Sequence, residues 1–220
     1  IRPGDKALII GAAGPMGQMH TIRLISCGIE SISIVATDFD DERLASLKAK
    51  AETLAIDRGV SLRLVNPQKT PCSEKFDYFD IMAPIGSLVA QAVKDSKKGA
   101  LINLFAGIPA TVKQKLDLDT YIANQCFMFG TSGSRLSDMM IVLYKVVSGQ
   151  LNTDCSVDAV SGMAGAIDGI RAVEARTMAG KIIVYPQLKE LPLTPLTVLE
   201  KEFPAVAEKM EQGIWTYEAE

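Results

Sequence analysis

The chain has 220 residues, of which 48% are hydrophobic, 22% charged and 6% aromatic, enough to bury about 70% of the unfolded surface and to exclude a disordered chain. No apolar stretch approaches the ~18 residues of a membrane span, and no charged segment followed by an apolar run opens it. With 23 Lys and Arg against 26 Asp and Glu, a net charge of -3 and no basic cluster, it lacks the footprint of a nucleic-acid binder.

Lys6 to Ile10 is a short apolar run, and the glycine-rich turn after it opens into Met16 to Ile25, where Met16, Met19, His20, Arg23 and Leu24 keep helical spacing. Ser31 to Ala36 is β-branched and predicts a second strand, and the acidic Asp40-Asp41-Glu42 starts a helix running to about Arg58. Ser61 to Val65 predicts a third strand and 66–75 a loop. Tyr78 to Met82 and its helix Ser87 to Lys94 follow. Ala100 to Phe105 has the continuous apolar pattern of a strand covered on both faces. Phe127 to Phe129 predicts a sixth strand, and Leu136 to Ser148 a helix. This alternation predicts an α/β fold, a doubly wound, parallel, six-stranded sheet of the Rossmann type. Beyond Gly149, Val157 to Val160, a helix from Ile167 to Arg176, a strand Lys181 to Tyr185 and a last helix, Phe203 to Gln212, are expected. A boundary is placed near residue 180, giving a dinucleotide-binding domain over 1–180 and a segment 181–220 too short for its own core.

The four cysteines, Cys27, Cys72, Cys126 and Cys155, are far apart with no CxxC, which predicts free thiols and a cytoplasmic protein. With a single histidine, no metal ligands are expected on this chain. Ile1-Arg2-Pro3-Gly4-Asp5 carries no initiator Met and runs at once into a buried-looking strand, as expected of a piece of a longer protein.

Gly11-Ala12-Ala13-Gly14-Pro15-Met16-Gly17 puts glycines at GxxGxxG spacing between a strand and a helix. In that context one glycine makes a sharp turn, one lets the backbone approach a pyrophosphate, and one lets helix and sheet pack closely, while the helix N-terminus offers amides and a partial positive charge. Asp38 closes the second strand, where a dinucleotide fold places the acid that accepts hydrogen bonds from the adenosine ribose. A 2′-phosphate there meets a like charge, so NAD is expected over NADP, with Arg43 the nearby compensating cation. The plainer role for Asp38, a helix cap, suits Asp40 better.

Pro3 to Gly11, then Gly14-Pro15-Met16-Gly17, then Thr37-Asp38 with Arg43-Leu44, resembles the coenzyme domain of the medium-chain dehydrogenase/reductase family, nearest its zinc-dependent polyol and alcohol dehydrogenases. Asp77 to Ala83 is similar to the family's fourth strand, Lys98-Gly99-Ala100 to Gly107 to its fifth, and Phe129-Gly130-Thr131-Ser132 to its sixth. Lys181-Ile-Ile-Val resembles the return to the catalytic domain, and Gly213-Ile-Trp215-Thr with Glu218-Ala-Glu220 a family carboxyl end. GPMG with His20 resembles the sorbose-phosphate reductase branch, although the GxxGxxG spacing is closer to the quinone reductase branch. The resemblance implies a pyrophosphate held around Gly11, Ala13, Gly14, Pro15, Met16 and Gly17, and an adenosine ribose on Asp38 with Arg43 alongside. It implies a cleft lined by Ala83 and Pro84, and a nicotinamide end near Phe105, Ala106 and Gly107, with Gly130 and Thr131 beyond. The zinc and the proton relay belong to an amino-terminal, GroES-like catalytic domain, so this chain alone is expected to bind cofactor without turnover and to carry no catalytic residue. Subunits are expected to pair through the sixth-strand edge, Gln125 to Phe129.

The alternatives are an NADPH-dependent quinone-reductase-like enzyme, a non-catalytic dinucleotide-binding or dimerisation module, a short-chain dehydrogenase and a methyltransferase. A short-chain dehydrogenase needs GxxxGxG and a helical Tyr with Lys four positions on; only Tyr185 has that Lys, and Pro186 denies the helix. A methyltransferase needs a reversed final hairpin, which the Gly130 region does not suggest. His20 reads as a satisfied or partly exposed histidine, Met139 and Met140 as core filler, Trp215 as an anchor on a neighbouring surface, and Cys27 as a buried small residue.

Overall fold

The apolar run after the first turn forms β1 (Lys6–Ile10), followed by α1 (Pro15–Ile25), β2 (Ser33–Thr37), α2 (Asp41–Asp57), β3 (Ser61–Val65), β4 (Phe76–Ile81), α3 (Gly86–Lys94), β5 (Ser96–Leu104), α4 (Leu118–Ala123), β6 (Phe127–Gly130) and α5 (Leu136–Val147). The computed structural model describes every residue except Thr131, Ser132 and Gln212, and for Glu200 the backbone alone. The six strands form one sheet in the order β3-β2-β1-β4-β5-β6, and every pairing in it is parallel. The predicted doubly wound Rossmann sheet is thus present. Because the chain builds outward from β1 to β3 and then returns to β4, the order reverses between β1 and β4, the place where such sheets open a ligand crevice at their carboxyl edge.

Side chains alternate across a strand, and β4 uses the two faces differently. Phe76, Phe79 and Ile81 pack with Ala100 and Ile102 of β5 and Val89, Ala92 and Val93 of α3 into one core. Phe76 and Phe79 meet edge to face at 5.7 Å. Phe79→Ala, emptying a site that is 0% exposed, is expected to lower stability by about 3–5 kcal/mol, read in urea as a lower midpoint at unchanged slope.

Local capping explains the α2 boundary. The Asp40 carboxylate accepts from the Glu42 and Arg43 amides at 3.0 and 3.1 Å, so Asp40 is the cap and Asp38 is released for another role. α4 lies in a stretch without predicted structure; Asp117 starts it by accepting from the Thr120 amide at 3.0 Å and its hydroxyl at 2.8 Å.

The structure divides into two compact units, Ile1–Leu151 and Asn152–Glu220, earlier than the boundary expected near residue 180. The second unit contains β7 (Val157–Ser161), α6 (Ala166–Glu174), β8 (Lys181–Val184), β9 (Thr194–Pro195), α7 (Leu196–Glu202) and α8 (Pro204–Ala207). β8 lies parallel to β7 and β9 antiparallel to it, so residues on both sides of position 180 share one sheet and cannot be separated there. This unit has a core of its own: Val157, Val160, Leu196, Leu199, Trp215 and Ala219. Trp215 is buried in it, where an anchor on a neighbouring surface was expected. The expected last helix over 203–212 is replaced by α7 and α8, because Pro195 and Pro204 each start a helix and the chain turns at Phe203 between them.

Two further expectations are corrected. Met139 and Met140 are not core filler: α5 is apolar except along the side that carries Asp138 and Lys145, none of its residues is buried, and the two methionines are 56% and 58% exposed. Cys27 is half-buried, whereas Cys126 and Cys155 are buried, and none of the four forms a disulfide.

Candidate functional site

The glycine turn is built from three different constraints. Gly11 leaves β1 at φ +78°, a conformation that favours glycine, and packs close to Ala83. The Gly11 and Ala12 amides both donate to the Thr37 carbonyl at 2.9 and 3.0 Å, which ties the turn to the end of β2. Gly14 caps α1 and Pro15 occupies its first turn, where a missing N–H costs nothing. Pro15 therefore adds no donor, and the amides that this helix terminus presents are those of Gly14, Met16 and Gly17. At Gly17 a Cβ would fall 2.2 Å from the Gly11 carbonyl oxygen and 2.6 Å from Ala12 Cα, so α1 lies against the turn at a distance only glycine permits.

Gln18, which the motif analysis did not single out, locks the arrangement. It is fully buried, donates to the Ala13 carbonyl at 3.1 Å and accepts from Lys50 Nζ on α2 at 3.2 Å.

Asp38 sits at the lip of this turn. One carboxylate oxygen accepts from the Ala13 amide at 3.1 Å and the other from the Asp40 amide at 3.2 Å, and the residue remains partly exposed. The cations around it are engaged: Arg43 Nε lies 3.7 Å from Asp40, and Lys69 pairs with Asp41. Asn66 donates to Asp41 at 2.9 Å and to the Phe39 carbonyl at 2.8 Å. The hydrogen bond from Lys69, then that from Asn66, holds the Asp41 carboxyl below its ordinary value.

Ala83 and Pro84 follow β4, where the Met82 amide donates to the Ile10 carbonyl at 2.9 Å and keeps this segment beside the glycine turn. Phe105, Ala106 and Gly107 follow β5, with the Ala106 amide donating to Ile81 at 2.9 Å. Gly130 ends β6, and a Cβ there would lie 3.0 Å from the Leu104 carbonyl. All strands being parallel, Gly11 to Gly17, Asp38, Ala83, Pro84, Phe105 to Gly107 and Gly130 share the carboxyl edge of the sheet, with Arg43 in the first turn of α2. Thr131 lies outside the described residues.

A polar group that motif analysis missed lies on the face of β4 and β5 opposite the α3 core. His20 Nδ1 of α1 is 2.7 Å from Asp80 Oδ2, and Asn103 donates to Asp80 Oδ1 at 2.9 Å. Asp80 and Asn103 are register partners on β4 and β5; Asp80 is 4% and Asn103 8% exposed. Burial first, then the Asp80 charge, pushes the Tyr78 phenol above its ordinary range, and the Asn103 amide opposes that shift. The His20 ring also meets Phe105 edge-on at 4.6 Å. The available signal was an acid in the apolar run Phe-Asp-Ile of β4 and an amide in Leu-Ile-Asn-Leu of β5, since polar residues in doubly covered strands need partners.

Among the described residues no group of three or more His, Cys, Asp or Glu could hold a metal, and no helix is long and apolar enough to cross a membrane.

No protein-family model matches the chain. It is 26% identical over 241 residues to the uncharacterized protein YggP of Escherichia coli K12, covering 100% of this chain and 56% of that protein. It is 26% identical to the mannitol-1-phosphate 5-dehydrogenase of Aliivibrio fischeri, over 89% of this chain and 49% of the enzyme. With the L-sorbose 1-phosphate reductase of Klebsiella pneumoniae it shares 26% identity over 100% of this chain and 55% of the enzyme. The chain thus spans about half the length of the curated relatives it matches. In fold it is similar to the short chain alcohol dehydrogenase RspB of Escherichia coli CFT073, solved with NADH: TM-score 0.65 at 18% identity, covering 83% of this chain and 52% of that one. It is likewise similar to the 2R,3R-butanediol dehydrogenase of Bacillus subtilis, with a TM-score of 0.66 at 18% identity over 84% and 52% of the two chains. Sequence and fold together bear out the resemblance of this chain to the coenzyme-binding domain of zinc-type alcohol and polyol dehydrogenases of the medium-chain dehydrogenase/reductase family.

Proposed function

We propose that the unit Ile1–Leu151 binds NAD(H) as the coenzyme domain of an alcohol or polyol dehydrogenase. The observation that carries the reading is the joining of the glycine turn to Asp38, through the Ala13 amide, at the switch point between β1 and β4. The residues fit the cofactor. The amides of Gly14, Met16 and Gly17 and the positive end of the α1 dipole would hold the diphosphate. Asp38 would accept from the adenosine ribose through the lone pairs that its two backbone donors leave over. When bound, the nicotinamide accepts or returns the hydride of a secondary alcohol. This chain's part is to position the dinucleotide along the carboxyl edge, with Ala83 and Pro84 on one wall and Phe105 to Gly107 near the reacting end.

NAD is favoured over NADP because a 2′-phosphate would face Asp38 while Arg43 and Lys69 are already turned to Asp40 and Asp41. The same charges weigh against an NADPH-dependent quinone-reductase-like enzyme. For the substrate, the relatives named for mannitol 1-phosphate and sorbose 1-phosphate support a polyol or sugar phosphate. The described residues do not fit the zinc of the resemblance, so we assign the metal, and with it the catalytic groups, to the remainder of a longer protein. The β6 edge supports a homodimer: β6 pairs on one side only, with β5, and Phe127 on it is 62% exposed, an apolar edge of the sort that invites pairing.

Titration of NADH into the chain, followed by nicotinamide fluorescence, tests the central reading. Saturable binding with NADPH at least about tenfold weaker is expected; no saturable binding of either would refute it.

A further inference from the structure

His20 lies one helical turn after Met16 on α1, and residues four apart share a helix face with Cβ atoms about 5–6 Å apart. Its ring also rests on Phe105, the neighbour of Ala106. On the reading above, the Phe105 contact puts it at the nicotinamide end of the groove. We propose that the His20–Asp80 pair sets the charge under the nicotinamide and so discriminates the cationic oxidised cofactor from the neutral reduced one. This inference rests on that reading and deepens it.

The chemistry follows from how the pair is held. Asp80 is nine-tenths buried, with one oxygen on His20 and the other on Asn103, so its carboxylate has little water to screen it. With His20 neutral, the pair carries a net negative charge that attracts the nicotinamide cation. With His20 protonated, the pair is neutral overall and that attraction is cancelled, whereas reduced cofactor, uncharged at the ring, loses nothing. Imidazole is the side chain whose ordinary charge change falls between about pH 5 and pH 8. Few other charged groups face the ring. From β4 come Asp80 and Tyr78, whose phenol stays protonated; from β5 and beyond come the uncharged Asn103 and Phe105. On α1 itself the nearest charge is Arg23, at the last turn, and Lys50 of α2 is directed to Gln18.

His20 is thus a positioning residue in the electrostatic sense. Its effect is on the ratio of dissociation constants for NAD⁺ and NADH. At an effective dielectric near 20, a unit charge acting over about 12 Å changes that ratio about tenfold, and a shorter separation changes it more. Acidification is expected to raise the ratio, and because proton uptake and cofactor binding are linked, NAD⁺ must in turn favour the neutral imidazole.

The test uses the intact chain. Dissociation constants for NAD⁺ and NADH are measured by calorimetry from about pH 5.5 to 8.5 in the wild type, His20→Gln and Asp80→Asn. His20 is the one histidine of the chain, so its imidazole NMR signal is followed in the same samples without assignment. The expected results are a wild-type ratio that rises about tenfold toward acid, a ratio independent of pH in His20→Gln, and a lower imidazole titration midpoint with NAD⁺ than with NADH. A wild-type ratio flat with pH, the same slope in His20→Gln, or an imidazole midpoint equal in both complexes would overturn the proposal while leaving dinucleotide binding intact. Failure of the wild type to bind either cofactor would bring down the groove reading and this inference with it. Asp80→Asn separates charge from packing, since it keeps the shape but removes the negative charge: near pH 8.5 its ratio should lie about tenfold above that of the wild type, and an equal ratio there would overturn the proposal.

Discussion

Gly17→Ala is expected to be the most damaging single substitution in the chain. The added methyl would sit 2.2 Å from the Gly11 oxygen and 2.6 Å from the Ala12 backbone, and both neighbours are main chain held by hydrogen bonds to Thr37, so neither can swing aside as a side chain could. Either α1 moves off the sheet, stranding the wholly buried Gln18 and its bond to Ala13, or the turn opens. A loss of about 3 kcal/mol or more is expected, seen as a fall of roughly 10 °C in Tm, together with loss of NADH binding. A variant of wild-type stability would show that α1 does not approach the turn this closely. Retained stability with lost binding would place the glycine's role in the ligand alone.

Asp38→Ala acts on selectivity more than on folding. Removing the carboxylate deletes the ribose acceptor and the repulsion toward a 2′-phosphate, while the Ala13 and Asp40 amides lose one acceptor each. Hydrogen bonds to charged groups contribute about 1.5–3 kcal/mol, so NADH affinity should fall by about tenfold to a hundredfold and the NADH-over-NADPH preference should narrow or invert. Competition titrations of both cofactors on wild type and variant measure this. An unchanged preference would remove Asp38 from the adenosine site.

The alternation of strands and helices through β6 was legible because each strand is a compact apolar run ended by glycine or an acid, as at Ile10-Gly11 and Thr37-Asp38. The glycine turn was legible for a related reason: its spacing encodes steric limits that the structure displays at Gly11 and Gly17. Long-range pairing was not. Nothing local marks Lys181–Val184 as the partner of Val157–Ser161, and without that pairing the second unit reads as a tail and Trp215 as an external anchor. α5 misled for the opposite reason. A wide apolar face on a helix predicts burial, yet its large apolar side chains are exposed, so composition reported the stickiness of the surface and not its position. The His20–Asp80–Asn103 group escaped because its members are distant in sequence and each looks incidental alone.

A dinucleotide lying across the carboxyl edge would have its diphosphate at the start of α1. A crystal structure of this chain grown with saturating NADH tests it most directly. Diphosphate oxygens are expected on the Gly14, Met16 and Gly17 amides and the adenosine ribose on Asp38. A cofactor bound elsewhere, or this notch closed to it, would show that the glycine turn and Asp38 do not form a dinucleotide site.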